Sequence, residues 1–369
     1  MKLPQYSSID EKMNFFEKDS VVLKGVPYVI KTRDEFEAMM HYVTDLETQI
    51  NRHREDVKQR FRTSKYFKND SEEQHTKRFV SLGLENGLLY RGVSQAKYKI
   101  FSSAQRSWME KDCKLKGIAY VNFVDTLIRQ IRSNKLLHDY YTALRVPEND
   151  LLYMSLLQHY GQCSPLIDVS YDIFVSLFFA LHDNNLVAAE NDIDDYCSLY
   201  VFNTYANQYW TNLDVILQDG QEKADEMLQD AHYPIESIDT SNTDIADRYA
   251  SWKNPHNANR GLHDFELAFV KLPTAKGAIA PTTRTGEPIC WTNLNLLAQK
   301  GGFFLYTKDE MPLEEYIYYE KMLPNIICFN IHKGLKDEIM STISLSESDL
   351  FPKMENIVKH EIETFKATL

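Results

Sequence analysis

The run from Ile173 to Leu181, broken only by Ser176, constrains this chain most. A helix that is apolar all round has no face to offer to water, so it must lie in the middle of a core or inside a membrane. The run is far short of the roughly 20 residues that cross a bilayer. Pro165-Leu166-Ile167-Asp168-Val169 stands just before it and has the apolar density of a buried strand. The pattern therefore predicts a buried strand that feeds a central helix, Tyr171 to His182. With 369 residues the chain has ample material for one large domain or two ordinary ones.

The remaining elements are arranged around that centre. Residues 1–31 read as an irregular lead-in with a short strand in Val21 to Ile30. Thr32 and Glu35 have capping-box spacing, which opens a long helix. Its apolar stripe is Phe36, Met39, Val43, Leu46, Ile50, Val57 and Phe61, with His53 filling the one gap. Arg54, Lys58, Arg62 and Lys65 lie on a second face. That face is either a solvated surface or a place for a protein partner or a phosphate-rich substrate. Residues 71–80 read as a polar hinge.

From there strands are expected at Leu88 to Gly92, Pro165 to Val169, Leu199 to Asn203, Phe265 to Leu272, Gly302 to Tyr306 and Ile326 to Ile331. Helices are expected over 117–132, 148–159, 171–182, 333–342 and 353–365. The long, weakly patterned stretch 205–260 reads as an insertion or lid. Strands and helices mix without strict alternation, which favours α+β over a doubly wound parallel sheet. The expected organisation is an N-terminal helical extension, 1–79, on a larger domain, 80–369.

Composition removes several classes. Lys and Arg total 41 against 53 Asp and Glu, a net charge of −12, which argues against a whole-surface nucleic-acid binder. The start of the chain lacks a basic region followed by an apolar stretch. The five cysteines form no Cys-x-x-Cys pair, so reduced thiols in a cytoplasmic protein are expected. No Cys and His spacing resembles a zinc site, and nothing in the chain demands a metal.

Six segments follow one another in a telling order. They are Tyr90-Arg91-Gly92; Ser102-Ser103 with Arg106; Gln158-His159-Tyr160-Gly161; Leu166-Ile167-Asp168-Val169-Ser170; Gln299-Lys300-Gly301-Gly302-Phe303; and Leu350-Phe351-Pro352. In this order, over about 80–360, the chain resembles the FRG-domain family, named for an aromatic-Arg-Gly motif. It departs from the family at Ser164-Pro165, where a Thr-Arg is usual, and at Val169-Ser170, Asn295 and Ser102.

The family is similar in layout to the ADP-ribosyltransferases. The resemblance implies a split, mostly antiparallel sheet flanked by helices, with NAD as substrate. It implies a transfer of ADP-ribose to nucleic acid or protein, as in a toxin or defence effector. The catalytic positions it points to are Arg91, Ser170 and Gln299, with His159, Tyr160 and Asp168 beside the NAD.

The residue chemistry suits those roles and also blander ones. Arg91 can fork onto a phosphate or ribose hydroxyl, or pair with Asp168. Ser170 can meet a ribose or cap the helix after it. Asp168 on a buried strand needs a partner, with Arg91 and His159 as the choices. His159 and Tyr160 can stack on nicotinamide, or simply pack. Gln299 can accept a ribose hydroxyl bond but carries no charge, so Glu266 is a second carboxylate to weigh. A nucleotide- or nucleic-acid-binding module without catalysis and an NAD glycohydrolase are the competing readings.

Overall fold

A computed structural model describes residues 3–17, 26–64, 71, 87–144, 150–161, 163–183, 192–205, 267–270, 294–319 and 326–367. A seven-stranded sheet runs through them in the order β1-β7-β4-β2-β3-β6-β5. The strands are β1 (Val29–Ile30), β2 (Leu88–Val93), β3 (Leu166–Ser170), β4 (Tyr196–Asn203), β5 (Leu267–Val270), β6 (Gly301–Tyr306) and β7 (Ile326–His332). Only β1 runs parallel to its neighbour, β7; the other pairs are antiparallel. The chain is thus α+β with a mixed, mostly antiparallel sheet flanked by helices.

Strand β4 shows how the sequence builds both faces. Its side chains alternate, as a period of two requires. Cys197, Leu199 and Val201 enter one buried cluster, while Tyr196, Tyr200 and Phe202 enter another on the opposite face. The first face is covered by α2 (Arg33–Thr63), by α7 (Ile173–Leu181) and by α10 (Lys336–Thr342). The second is covered by α1 (Ile9–Glu17) and α9 (Leu313–Tyr319).

Helices α3 (Ser103–Glu110), α4 (Tyr120–Arg132), α5 (Lys135–Leu144) and α6 (Asp150–Leu156) form a third cluster with Leu166, Phe303 and Leu305. Short helices α8 (Leu294–Ala298) and α11 (Glu347–Leu350) and the closing α12 (Met354–Ala367) complete the described set. Among the described residues no helix is long and apolar enough to cross a membrane.

Helix α2 starts as its capping box predicts. The Thr32 hydroxyl accepts from the Glu35 N–H at 3.3 Å, and Glu35 Oε2 accepts from the Thr32 N–H at 2.9 Å. Phe36, Met39, Val43 and Ile50 are buried along its stripe. Lys58 pairs with Glu55 and Arg60 with Asp56, both at the surface. Arg54 lies over the Tyr205 ring, 5.7 Å from its centroid. Lys65 and the Phe61 side chain lie outside the described residues.

The structure draws the N-terminal boundary differently from the expected extension over 1–79. The lead-in is not irregular, because it carries α1, and the expected short strand is present at Val29–Ile30. Tyr6, Ile9, Met13 and Phe16 belong to the same buried cluster as Tyr200, Phe304 and Leu313. Lys12 is fully buried and donates to the Ala96 carbonyl and to Ser198 Oγ, each at 2.8 Å. Its ammonium also faces the Tyr200 ring at 4.9 Å. Burial pushes the Lys12 pKa down, with Cys328 and Glu314 acting against that shift.

These contacts make the first helix part of the main core rather than an appendage. Apart from Ser71 and Tyr205, the expected hinge at 71–80 and insertion at 205–260 lie outside the described residues, as does Val21 to Gly25 of the early strand.

Glu314 is the acidic counterpart on α9. It accepts from Tyr6 Oη at 3.2 Å and from the Ile100 N–H at 3.0 Å, and burial pushes its pKa up. Tyr6→Phe removes one of those donors without leaving a cavity. The expected loss is about 1 kcal/mol, read as a lower denaturant midpoint at unchanged slope.

Candidate functional site

The sheet is nearly divided between β2 and β3. Strand β2 pairs with β4 along its whole length, but with β3 only at Tyr90↔Ser170. A cavity of about 830 Å³ opens at this division, lined by Tyr90 to Val93 from β2, by Ser94 just after it and by Asp168 to Ser170 from β3. Leu3 to Gln5, Tyr98 to Phe101 and Arg106 add to its lining. So do Val175, Ser176 and Phe179 of α7, with Asn295, Leu296, Gln299 and Phe351.

The Tyr-Arg-Gly motif serves three layers at once. Tyr90 is buried, and its hydroxyl donates to Glu47 of α2. Arg91 turns to the cavity. Gly92 lets α7 approach the strand, because a Cβ there would stand 1.8 Å from the Ser176 carbonyl oxygen and 2.8 Å from the Ala180 nitrogen. The site is therefore tied to the helix whose apolar run most constrains the fold.

Arg91 bridges the division. Its Nη1 donates to the Asp168 backbone carbonyl at 2.5 Å, not to the carboxylate. Its Nε is buried and has no hydrogen-bond partner. Desolvation pushes the Arg91 pKa down, opposed by Asp168 and reinforced by Arg106; a guanidinium nonetheless stays charged.

The Asp168 carboxylate instead accepts from Gln158 Nε2 at 2.6 Å. It has surface open to the cavity but protein around the rest of it. Desolvation accordingly pushes its pKa up, with Arg91 acting against the shift. Gln158 Oε1 is a second buried polar atom with no partner. Arg91 and Asp168 are thus electrostatic neighbours rather than a salt bridge through the carboxylate.

Gln158 and His159 come from a π-helical turn, Leu157–Gly161, which continues α6. The wider turn carries them to the cavity wall. His159 is half-buried, and desolvation pushes its pKa down, so it is neutral near pH 7. Tyr160 meets His159 edge-on at 4.4 Å between ring centroids, but it is 69% exposed and does not line the cavity. A platform role for Tyr160 inside the pocket does not fit this geometry.

Ser170 and Gln299 come together, though more than a hundred residues apart in sequence. Ser170 Oγ donates to the Gln299 carbonyl at 2.7 Å and accepts from the Asp172 N–H at 3.0 Å. The cap of α7 is Asp172, whose Oδ1 accepts from the Phe174 N–H at 2.8 Å. The alternative of Ser170 as the helix cap is corrected on this point: its hydroxyl locks the β3 end to the turn at Gln299. That turn puts Lys300 at φ 46° and is held by a Lys300–Asp172 ion pair at 2.6 Å. Glu266 lies outside the described residues.

Sequence reasoning assigns Arg106 no role, yet it lines the cavity with a second guanidinium. Its Nη1 donates to the Phe101 carbonyl at 2.8 Å, which fixes the side chain. The Ser-rich segment explains how it gets there. Ser102 and Gln105 form a capping box at the start of α3, and Ser103 exchanges hydrogen bonds with Ser164. Arg106 follows in that first turn. Capping-box spacing at Ser102 and Gln105 is the signal that would have placed this helix start.

The FRG domain family model matches residues 86–188 of the chain, which supports the FRG-domain family over that span. The match holds β2, β3 and α7 with Arg91, Arg106, His159, Asp168 and Ser170. Gln299 and Phe351 lie beyond it. No curated protein and no solved structure matches the chain.

Proposed function

We propose that this protein is an NAD-dependent ADP-ribosyltransferase acting on a macromolecular acceptor, nucleic acid or protein, as a toxin or defence effector would. The observation that carries this reading is the meeting of Arg91, Ser170 and Gln299, from three separate segments, in one cleft at the division of the sheet.

The chemistry asked of such a site is modest in proton handling and strict in positioning. The bond between the nicotinamide nitrogen and ribose C1′ breaks, and the electron pair leaves with the ring. The acceptor then bonds to C1′ and releases its proton. The centre is oxocarbenium-like, related to glycoside cleavage. Arg91 and Arg106 supply planar donors for a diphosphate. Gln299 supplies an acceptor for a ribose hydroxyl, and Ser170 holds the turn on which Gln299 sits.

Incubation with NAD labelled in its adenylate half and a cell extract tests the proposal. Label on protein or nucleic acid with nicotinamide release supports it. Release without macromolecular label makes the protein a glycohydrolase. A specific observation favours a second reading, a nucleotide-binding module: among the described cavity-lining residues the carboxylate is Asp168, and it is engaged by Gln158. Nucleotide binding without any release supports that module.

The raised pKa of Asp168 gives a pH prediction. Lowering the pH protonates Asp168 above the usual aspartate range near 3.9. The cleft then loses its negative charge while Arg91 and Arg106 keep theirs. Affinity for ADP-ribose is expected to rise as the pH falls toward the raised Asp168 pKa, and Asp168→Asn should flatten that profile. Titration of binding against pH checks both.

A further inference from the structure

The cavity has an aromatic end that no step above uses. Phe179 and Phe351 both line it and are 38% and 39% exposed, whereas most of the described aromatic side chains are buried. Their rings meet edge-on, 5.9 Å between centroids and 85° between planes. An edge-to-face pair leaves a ring face open to a third ring. The pair draws on two separate parts of the chain, the otherwise apolar α7 and the residue just after α11. We propose that Phe179 and Phe351 form a subsite for the planar heteroaromatic ring of the ligand, and that Gln299 is the positioning residue that holds Phe351 there. The proposal deepens the nucleotide reading above and rests on it.

Gln299 has the geometry for that role. Its side-chain nitrogen donates to the Leu350 carbonyl at 3.1 Å, next to Phe351 in the chain. A backbone carbonyl can only accept, so the contact sets which end of the amide is which. The nitrogen goes to Leu350 and the oxygen is left as an acceptor. The other side of the residue is locked too: its carbonyl accepts from Ser170, and its N–H donates to the Asn295 carbonyl at 2.8 Å. One residue thus links the β3 end, the turn before β6 and the segment that carries Phe351. A carboxylate could not do this, because an ionised Glu has no donor for Leu350. The choice of Gln over Glu at this position follows from the Leu350 contact.

The test compares probes with and without a ring. ADP-ribose carries adenine, nicotinamide mononucleotide carries nicotinamide, and ribose 5-phosphate carries neither. Equilibrium binding of each is measured with the wild type, Phe351→Leu, Phe179→Leu and Gln299→Glu, alongside the melting temperature of each variant. Stacking of this kind is worth on the order of tenfold or more per ring. Phe351→Leu and Phe179→Leu are expected to weaken one ring-bearing probe by at least about tenfold and to leave ribose 5-phosphate unchanged, while Gln299→Glu, which also faces the ribose, is expected to weaken that same ring-bearing probe by more than it weakens ribose 5-phosphate. The probe that loses affinity identifies the ring as adenine or nicotinamide.

Equal loss for ribose 5-phosphate would reduce the pair to a structural role and overturn the proposal. So would retention of both ring-bearing probes by the phenylalanine variants. A Gln299→Glu variant that binds every probe like the wild type, or turns over NAD faster, would overturn the positioning role. If the wild type binds none of the three probes, the nucleotide reading fails and this proposal falls with it. If the wild type binds and only the variants fail to discriminate, the nucleotide reading stands and this proposal alone is lost.

Discussion

On the proposed transferase function, Arg91→Ala is expected to lower NAD turnover by roughly a hundredfold or more and to leave the melting temperature within a few degrees of the wild type. The two halves of that expectation have separate grounds. Arg91 makes one described hydrogen bond, to the Asp168 carbonyl, and keeps a buried Nε without a partner. Removing the side chain therefore also removes an unsatisfied donor, which offsets part of the lost contact. Asp168 stays in register with Phe303 of β6, so β3 keeps its place in the sheet.

The diphosphate of the proposed NAD substrate loses much more. The guanidinium on β2 is lost while Arg106 remains, so the cleft keeps about half of its charged donors for the phosphates. Arg91→Lys keeps a charge but not the planar geometry, so it should fall between the two. Nicotinamide release and thermal unfolding, measured on the same samples, decide the matter. Full turnover by Arg91→Ala would remove the residue from the site.

Gly92→Ala should cost the most stability for the fewest atoms, at least about 3 kcal/mol. An alanine Cβ would sit 1.8 Å from the Ser176 carbonyl oxygen and 2.8 Å from both the Ser176 carbonyl carbon and the Ala180 nitrogen. All three are backbone atoms of α7, so no side-chain rotation relieves the overlap. The helix must move off the strand instead. Leu177, Ala180 and Leu181 of α7 are fully buried in the cluster shared with β2 and β4, so that movement opens a core.

Gly301→Ala makes a useful contrast. There the nearest atom is the tip of the Leu296 side chain at 2.5 Å, which can turn away. Chemical denaturation of both variants should show a much larger loss for Gly92→Ala. A Gly92→Ala protein that unfolds at the wild-type midpoint would show that α7 does not need this close approach.

Much of the fold can be read from local pattern, because local pattern is set by which faces must be dry. The stripe Phe36, Met39, Val43 and Ile50 marks the buried side of α2. The Thr32 and Glu35 pair marks its start, since both halves of a capping box lie within one turn. The early segment hides its structure for the complementary reason. Helix α1 is short, and β1 is a two-residue strand whose partner, β7, lies some 300 residues away. No periodicity survives over so few residues.

Within the site the same divide appears. Arg91, His159, Asp168, Ser170 and Gln299 are grouped in the sequence by the motif order that resembles the FRG-domain family. Their pairings are not legible. Arg91 takes the backbone oxygen of Asp168, while Gln158 takes its carboxylate. Asp172, two residues from Ser170, takes the helix cap. Competition among neighbouring polar groups is settled by sub-ångström geometry, which spacing does not encode. Phe179 is the plainest case. In sequence it is one more apolar residue in an apolar helix; in the fold it is exposed at the cavity.

From Ile173 to Leu181 the residues alone require a central helix, because a chain that cannot wet any side of a segment must surround it. The same residues say nothing of where that helix meets the sheet. Gly92 decides it, by being the one position on β2 where backbone can touch backbone. The loss of pairing between β2 and β3 beyond Tyr90 and Ser170 then opens a cavity beside the contact. Burial is a property of each segment and is written along the chain. A cleft is a property of how segments fail to meet, and only the folded molecule contains it.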